Sequence, residues 1–392
     1  MSAIRVNSLG NETNTGGPEL SGITKFSGQQ YFIPPKGTTA QRPSDCPPGS
    51  IRFNTDSSHL EYWNGLVWLE FEASSEHVGV STADAGKSIV GTGHRGLIAG
   101  GYSPTPGSMS DRIDYITIST LGNAEDFGDL AAATRLAAGC ASSTRGLFGG
   151  GASPAPTKTA KIDFTTIAST GQTAGDFGNL TVARNQLCAC SNEIRGLFAA
   201  GDAPASISDI IDYITIASTG AAKDFGDLID PVEQSAACSN SVRGLVSGGS
   251  IPAVTNVIQY VTISSQGNAE DFGDLITNRS FHAGCSNSTR GLFGAGATPG
   301  NNKINSIEFV TIASTGNAQD FGDLTVERRA GQGAFSSPIR GVFAGGQGGP
   351  SDVFLDTIDY VEFKSTGNAI DFGNLQEPSA SNFACSNGHG GL

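Results

Sequence analysis

Four residue types in this chain recur in patterns that invite a chemical reading. Asp-Phe-Gly, which holds magnesium in some phosphoryl-transfer sites, begins at Asp126, Asp176, Asp224, Asp271, Asp320 and Asp371. No glycine-rich phosphate loop, paired lysine or His-Arg-Asp accompanies it, so the six copies read as structural: Phe fills a core and Asp accepts hydrogen bonds from a turn or a neighbouring unit. Seven cysteines, Cys46, Cys140, Cys188, Cys190, Cys238, Cys285 and Cys385, raise disulfides or zinc. Five of them stand five positions before a recurring arginine or its replacement, Gly390. Equivalent positions in successive units point along different radii, which disfavours pairing within the ~7 Å Cα limit, and Cys188-Ala189-Cys190 lacks the second ligand pair of a zinc site. They read as small buried hydrophobes in a reducing compartment. Arg95, Arg145, Arg195, Arg243, Arg290 and Arg340 could line an anion site; the expectation is that each pairs with a nearby aspartate. His59, His77, His94, His282 and His389 fall in no metal-binding or Ser/His/Asp pattern. The chain therefore reads as no enzyme, with no metal and no cofactor.

The elements that carry these residues repeat. Arg-Gly-Leu-Ile-Ala-Gly-Gly, first seen at Arg95, returns every 47 to 50 residues, and an apolar run such as Ile113-Asp114-Tyr115-Ile116-Thr117-Ile118 follows it each time. A period in this range marks a repeat architecture. Each unit reads as four strands: an Ala/Cys-rich first strand, the Arg-Gly strand ending in paired glycines, the Ile/Tyr/Thr strand with apolar residues on both faces, and the Asp-Phe-Gly strand. A strand apolar on both faces must be covered from both sides, so the units are expected to pack as six radial blades of a propeller. The closing residues 384–392 repeat the first-strand motif once more, which predicts a clasp joining the first blade beside or in place of Ser88-Ile89-Val90.

Composition agrees. With 54 glycines in 392 residues and only 15% charged residues, the chain suits short strands and tight turns rather than long helices. Its 23 Lys and Arg against 37 Asp and Glu give a net charge of −14, which opposes nucleic-acid binding through phosphates and repels anionic membranes. No run approaches the ~18 apolar residues of a membrane span, and the first thirteen residues lack a signal-peptide layout.

Residues 1–80 lack the repeat and form a separate module, with 81–392 as the propeller. Prolines punctuate an extended path to Gly49, and a meander follows: Ile51 to Thr55, Leu60 to Trp63, an Asn64-Gly65 hairpin turn, and Val67 to Phe71. So small a meander cannot bury a core alone, which predicts completion by other copies or by a partner, with Phe53, Tyr62, Trp63, Trp68 and Phe71 as the contacts.

The order of Arg, glycine pair, Tyr-bearing strand and fourth-strand aromatic resembles the kelch repeat of β-propellers, with Phe127 and its equivalents where that pattern carries Trp. Gly49-Ser50-Ile51-Arg52-Phe53-Asn54-Thr55 with Glu61-Tyr62-Trp63-Asn64-Gly65 resembles a module of tailed-bacteriophage tail-fibre and neck proteins. The Thr-Gly-Asn-Ala-x-Asp-Phe-Gly-Asp-Leu core resembles kelch-like structural proteins of marine phages such as cyanophages. These resemblances imply an all-β virion protein, assembled in the host cytoplasm: a homotrimeric tail or neck appendage, held to other virion proteins by its N-terminal anchor, whose six-bladed head attaches to a host-surface polysaccharide. A purely architectural decoration is the alternative. A glycan-cleaving enzyme is a third reading, which would need paired carboxylates ~5–9.5 Å apart. Between units the first–second and third–fourth turns stay nearly constant while the other connections vary, and loops on a rigid scaffold carry binding. Candidate contacts there are Tyr102, Lys158, Asn301, Asn302, Lys303 and Phe354.

Overall fold

Every repeat is an antiparallel sheet in the computed structural model, which describes residues 34–70 and 94–392 except 58, 105, 106, 155, 330–332, 350 and 352. The fold is all-β; the one helical element among the described residues is a 3-10 turn at Thr39–Gln41. The chain divides into two bodies, Met1–Ser75 and Glu76–Leu392. Ser88-Ile89-Val90, Phe71 and the boundary expected near residue 80 lie outside the described residues.

In the larger body sheet 2 is typical, with strands Ala138–Ala141, Arg145–Gly149, Lys161–Thr166 and Gly175–Asn179 in that order. Sheets 3 to 6 repeat it, with first strands Cys188–Ser191, Ala236–Ser239, Ala283–Ser286 and Ala334–Ser336. Sheet 1 takes its first strand from far along the chain: Phe383–Ser386 pairs antiparallel with Arg95–Ala99, Phe383 opposite Ala99 and Ser386 opposite Gly96. This is the expected clasp.

The core lies between sheets. One buried cluster joins Cys190 and Leu197 of sheet 3 to Val246, Val261 and Ile263 of sheet 4, and another joins Ile98, Ile116 and Ala384 of sheet 1 to Val342, Tyr360 and Phe372 of sheet 6. This explains the third strand's apolar residues on both faces. The six Asp-Phe-Gly phenylalanines are at most 3% exposed, and each contributes roughly 2–3 kcal/mol relative to exposure. The glycine beside them is required: Gly128 sits at φ +142°, and a Cβ there would lie 2.2 Å from the Gln172 carbonyl oxygen of the next sheet's turn.

Hydrogen bonds tie each sheet to the next in cyclic order. The amides of Gly171, Gly220, Gly267, Gly316 and Gly367 donate to the carbonyls of Phe127, Phe177, Phe225, Phe272 and Phe321, and Gly122 N of sheet 1 donates to Phe372 O of sheet 6. The arginines correct the sequence expectation. None of the six pairs with an aspartate among the described residues; each donates to a backbone carbonyl just past the third strand of the following sheet. Arg95, Arg145, Arg195, Arg243 and Arg290 reach Ile167, Ile216, Ile263, Ile312 and Phe363, and Arg340 returns to Ile118 of sheet 1, at 2.6–3.0 Å. Each guanidinium also stacks on its own sheet's third-strand aromatic, as Arg243 does 4.6 Å from the Tyr260 centroid, and that ring meets the Asp-Phe-Gly phenylalanine edge-on. A peptide carbonyl wins over carboxylate because it is fixed at the junction the arginine must bridge.

The cysteines are all free thiols. Cys140, Cys190, Cys238, Cys285 and Cys385 each pack where a Cβ on the next sheet's Arg-Gly glycine would stand. Burial pushes the Cys188 and Cys385 thiols up to about 11 and about 12, so they stay protonated.

First-strand serines continue the chain of bonds. The Ser191, Ser239, Ser286, Ser336 and Ser386 hydroxyls donate to the carbonyls of Ala141, Ser191, Ser239, Ser286 and Ser336, at 2.6–2.7 Å. The series stops at Ala141, which has no hydroxyl. There His389 Nε2 lies 2.8 Å from the Ala141 carbonyl, and its Nδ1 accepts from Gly391 N, which sets the Nε2–H tautomer. Gly390 N donates to Ser286 O, and a Cβ on Gly390 would stand 2.2 Å from Asn287 O. Residues 387–392 thus fold across this end of the first strands, and glycine replaces the recurring arginine because the backbone must pass so close.

In the smaller body the strands are Lys36–Gly37, Ile51–Asn54, His59–Trp63 and Trp68–Glu70. The expected Asn64-Gly65 hairpin turn is a four-residue loop: Trp63 pairs with Trp68, and Asn64 Oδ1 accepts from both Leu66 N and Val67 N at 2.8 Å. The residue that favours a tight turn here braces a wider one. On one sheet face the polar residues Arg52, Asn54 and Glu61 are buried. Glu61 is fully enclosed and takes two hydrogen bonds from Arg42, while Asn54 Nδ2 donates to Thr39 Oγ1. Burial alone would raise the Glu61 pKa, but the Arg42 bonds hold it below the usual carboxylate range. The opposite face carries Ile51, Phe53, Leu60, Tyr62 and Leu69 in register, with Ile51 52% and Leu60 40% exposed.

Candidate recognition site

Leu136, Gln186, Gln234, Phe281 and Ser381 introduce the first strands of five sheets, each at φ between +51° and +59°. Their backbones bond in sequence, Leu136 N to Ser381 O, Gln186 N to Leu136 O, Gln234 N to Gln186 O and Phe281 N to Gln234 O. Beside this collar each sheet pairs the first residue of its second–third loop with a residue of the connection leading to its first strand: Tyr102 with Ala380, Arg135 with Ala152, Asn185 with Asp202, Glu233 with Ser250, Ser280 with Ala297, and Arg329 with Gln347. The backbone device is constant, while the pair of side chains presented on it changes from sheet to sheet.

They sort by chemistry. A cavity of about 310 Å³ opens among Tyr102, Arg135, Phe281, Arg329, Gln347 and Phe354. Tyr102 and Phe354 pack with centroids 5.7 Å apart, Arg135 stands 5.9 Å from the Tyr102 centroid and Arg329 5.6 Å from that of Phe281. Arg329 is braced by two bonds to Gln347 Oε1. Among the described residues neither arginine pairs with a carboxylate. The far side of the collar is acidic and internally satisfied: Lys158 Nζ lies 2.6 Å from Asp202 Oδ1, and Gln186 and Gln234 donate to Glu233. Burial, with Asp202 nearby, raises the Glu233 pKa.

The cavity unites two sequence candidates, Tyr102 and Phe354. Lys158 is engaged across the collar with Asp202 and the Ala203 carbonyl, and Asn301, Asn302 and Lys303 form a separate hairpin in sheet 5. Arg135, Phe281 and Arg329 escaped sequence reasoning because they lie in the fourth–first connections, outside the loops singled out. The signal was available: the aligned positions read Arg135, Asn185, Glu233, Ser280, Arg329 and Ala380, a wide chemical spread in an otherwise regular repeat.

Of the anchor candidates, Phe53 and Tyr62 lie on the exposed apolar face of the meander. Trp63 and Trp68 pack together on the other face, 5.7 Å apart, and Trp68 Nε1 donates to Pro43 O. Among the described residues no group of three His, Cys, Asp or Glu is placed to hold a metal ion, and no helix is long and apolar enough to cross a membrane. No family model matches the chain, and no curated protein matches it.

Proposed function

We propose that residues 81–392 form a six-bladed kelch-like β-propeller and that the protein is a non-enzymatic virion component of a phage tail or neck appendage, whose head binds a host-surface polysaccharide. The cyclic order of the inter-sheet bonds, with sheet 6 returning to sheet 1 through Arg340 and Gly122, supports the propeller. The recognition reading rests on the aromatic and basic cavity. Tyr and Phe faces stack on sugar rings at little entropic cost, and arginine forks pair with planar carboxylates. Acidic sugars are therefore the favoured ligand despite the net charge of −14, because the cations stand at the cavity and the acids across the collar are already paired. The phage assignment draws on the sequence resemblances. Assembly as a homotrimer, joined to other virion proteins, is supported by the exposed Ile51, Leu60 and Leu69 face, which a small sheet can bury only in association.

The test is binding of host-surface polysaccharide to the full chain at low salt, beside Tyr102→Ala and Arg329→Ala, with light scattering of each. Saturable binding that both substitutions weaken about tenfold or more, a hot-spot effect, supports the reading. Absence of binding by a well-folded trimer shifts it to an architectural decoration.

A further inference from the structure

Three sheets carry an arginine in the connection leading to their first strand and bury its guanidinium against a third-strand acid. Arg184 Nη2 lies 3.0 Å from Asp212 Oδ2, Arg328 Nη2 lies 2.9 Å from Asp359 Oδ2, and Arg279 pairs with Glu308; all six side chains are at most 2% exposed. Arg184 also donates to Phe198 O, and the Thr181 hydroxyl completes the acid's bonds. Sheet 4 has lost the arginine, with Val232 in its place, and its acid is the neutral Gln259. There the charge left together with its partner. Sheet 1 keeps Asp114 opposite Ser379, but the space beside it is about 20 Å³, room for one water.

Sheet 2 differs from all of these. Thr134 stands where sheet 3 has Arg184, Ala131 where it has Thr181 and Ala137 where it has Leu187, yet Asp163 remains. The three truncations leave an open pocket of about 210 Å³. The only hydrogen bond to the Asp163 carboxylate among the described residues comes from Ala131 N at a long 3.4 Å. Its walls are Leu130, Phe148, Pro154 and Phe383, apolar surface suited to an alkyl stem. Burial raises the Asp163 pKa, with Asp176 adding to the rise and Lys161 opposing it.

We propose that this pocket binds a guanidinium group supplied from outside the chain, with Asp163 as its counter-ion and Phe148 O in the place of Phe198 O. Three sibling sheets show the acid at this position, Asp212, Glu308 or Asp359, holding a guanidinium, and sheet 2 keeps the acid without an internal arginine. A metal ion fits poorly, since one carboxylate among apolar walls supplies too few oxygens. Lys161, at the mouth, is the competing cation. The site shares no residue with the Tyr102 cavity, so either can fail alone.

Titrating the full chain with agmatine, with a blocked Gly-Arg-Gly peptide and with cadaverine as the ammonium control tests this by calorimetry. Saturable binding of a guanidinium probe is expected, at least tenfold tighter than cadaverine. Asp163→Asn should weaken it tenfold or more, the loss typical of a charged hydrogen bond, and Thr134→Arg should abolish it and raise the melting temperature by restoring the sibling arrangement. Agmatine binding as tightly as the peptide assigns the site to a free cation; preference for the peptide assigns it to an arginine of a protein partner. No saturable binding to the wild-type chain, or binding that survives Thr134→Arg, overturns the proposal.

Discussion

The two ends of the first strands solve opposite problems with the same repeat. At the Arg-Gly end all six sheets repeat one contact, an arginine stacked on an aromatic and bonded to the next sheet's carbonyl, and residues 387–392 close over it with His389 in the gap left by Ala141. At the other end the backbone collar repeats, but the residues on it run from Arg135 to Glu233, and a cavity of about 310 Å³ stays open. Uniform side chains mark where the sheets hold one another; varied ones on a uniform backbone mark where the protein is free to specialise.

The largest effect expected on this contrast comes from the clasp. Removing residues 383–392 strips sheet 1 of its first strand and exposes the core around Phe148 and Ile98, which should cost ~5 kcal/mol or more, as with other multi-residue core losses. Urea unfolding measures it, and a truncated chain of unchanged stability would mean the closed end is not what holds the sheets together.

Asp114 gives a smaller, pH-dependent test of the open end. Burial, only partly offset by Arg112, lifts its pKa from 3.8 to about 6, so between these values the folded state binds more protons than the unfolded one. Its contribution is therefore present at low pH and lost as pH rises from about 4 to about 6, a swing of about 2–3 kcal/mol. Asp114→Asn should flatten that dependence and leave the protein more stable than wild type at pH 8, read from melting temperatures across the range. An unchanged pH profile would sink this assignment.

The smallest effects separate the two classes of arginine. Arg145→Ala loses the Ile216 bond and the Phe164 stack and should cost about 1–2 kcal/mol. Arg135→Ala, whose side chain is partnered among the described residues by the Tyr102 ring, should alter stability by less than ~0.5 kcal/mol while weakening the polysaccharide binding proposed above. Equal losses from both would erase the distinction between a holding end and a specialising end.

Much of the sheet architecture was legible because it depends on short-range order. The recurring Arg-Gly, Ile-Asp-Tyr and Asp-Phe-Gly segments fell on second, third and fourth strands, and the echo at Cys385 placed the clasp. The arginine partners were not legible. Each lies in the next sheet, 68 to 73 residues on for five of them, and a nearby aspartate looked the better acceptor on charge alone. The cavity was half legible for a related reason: Tyr102 and Phe354 sit in conspicuous loops, whereas Arg135 and Arg329 gain meaning only when sheets far apart in sequence meet. The buried Arg–acid pairs were invisible too, because nothing in one repeat marks position 184 as facing position 212.

The pairing of Phe383–Ser386 with Arg95–Ala99 also sets a clock. Nearly 290 residues separate the two strands, and at ~5–20 residues per second of synthesis the ribosome takes ~15–60 s to deliver the second after the first. Through that interval sheet 1 waits with an unpaired strand edge, the feature that invites aggregation, while sheets 2 to 6 assemble in order behind it. A long-range closure of this kind is slow for topological reasons, so cellular yield should respond to the speed of translation and to chaperones that cover strand edges.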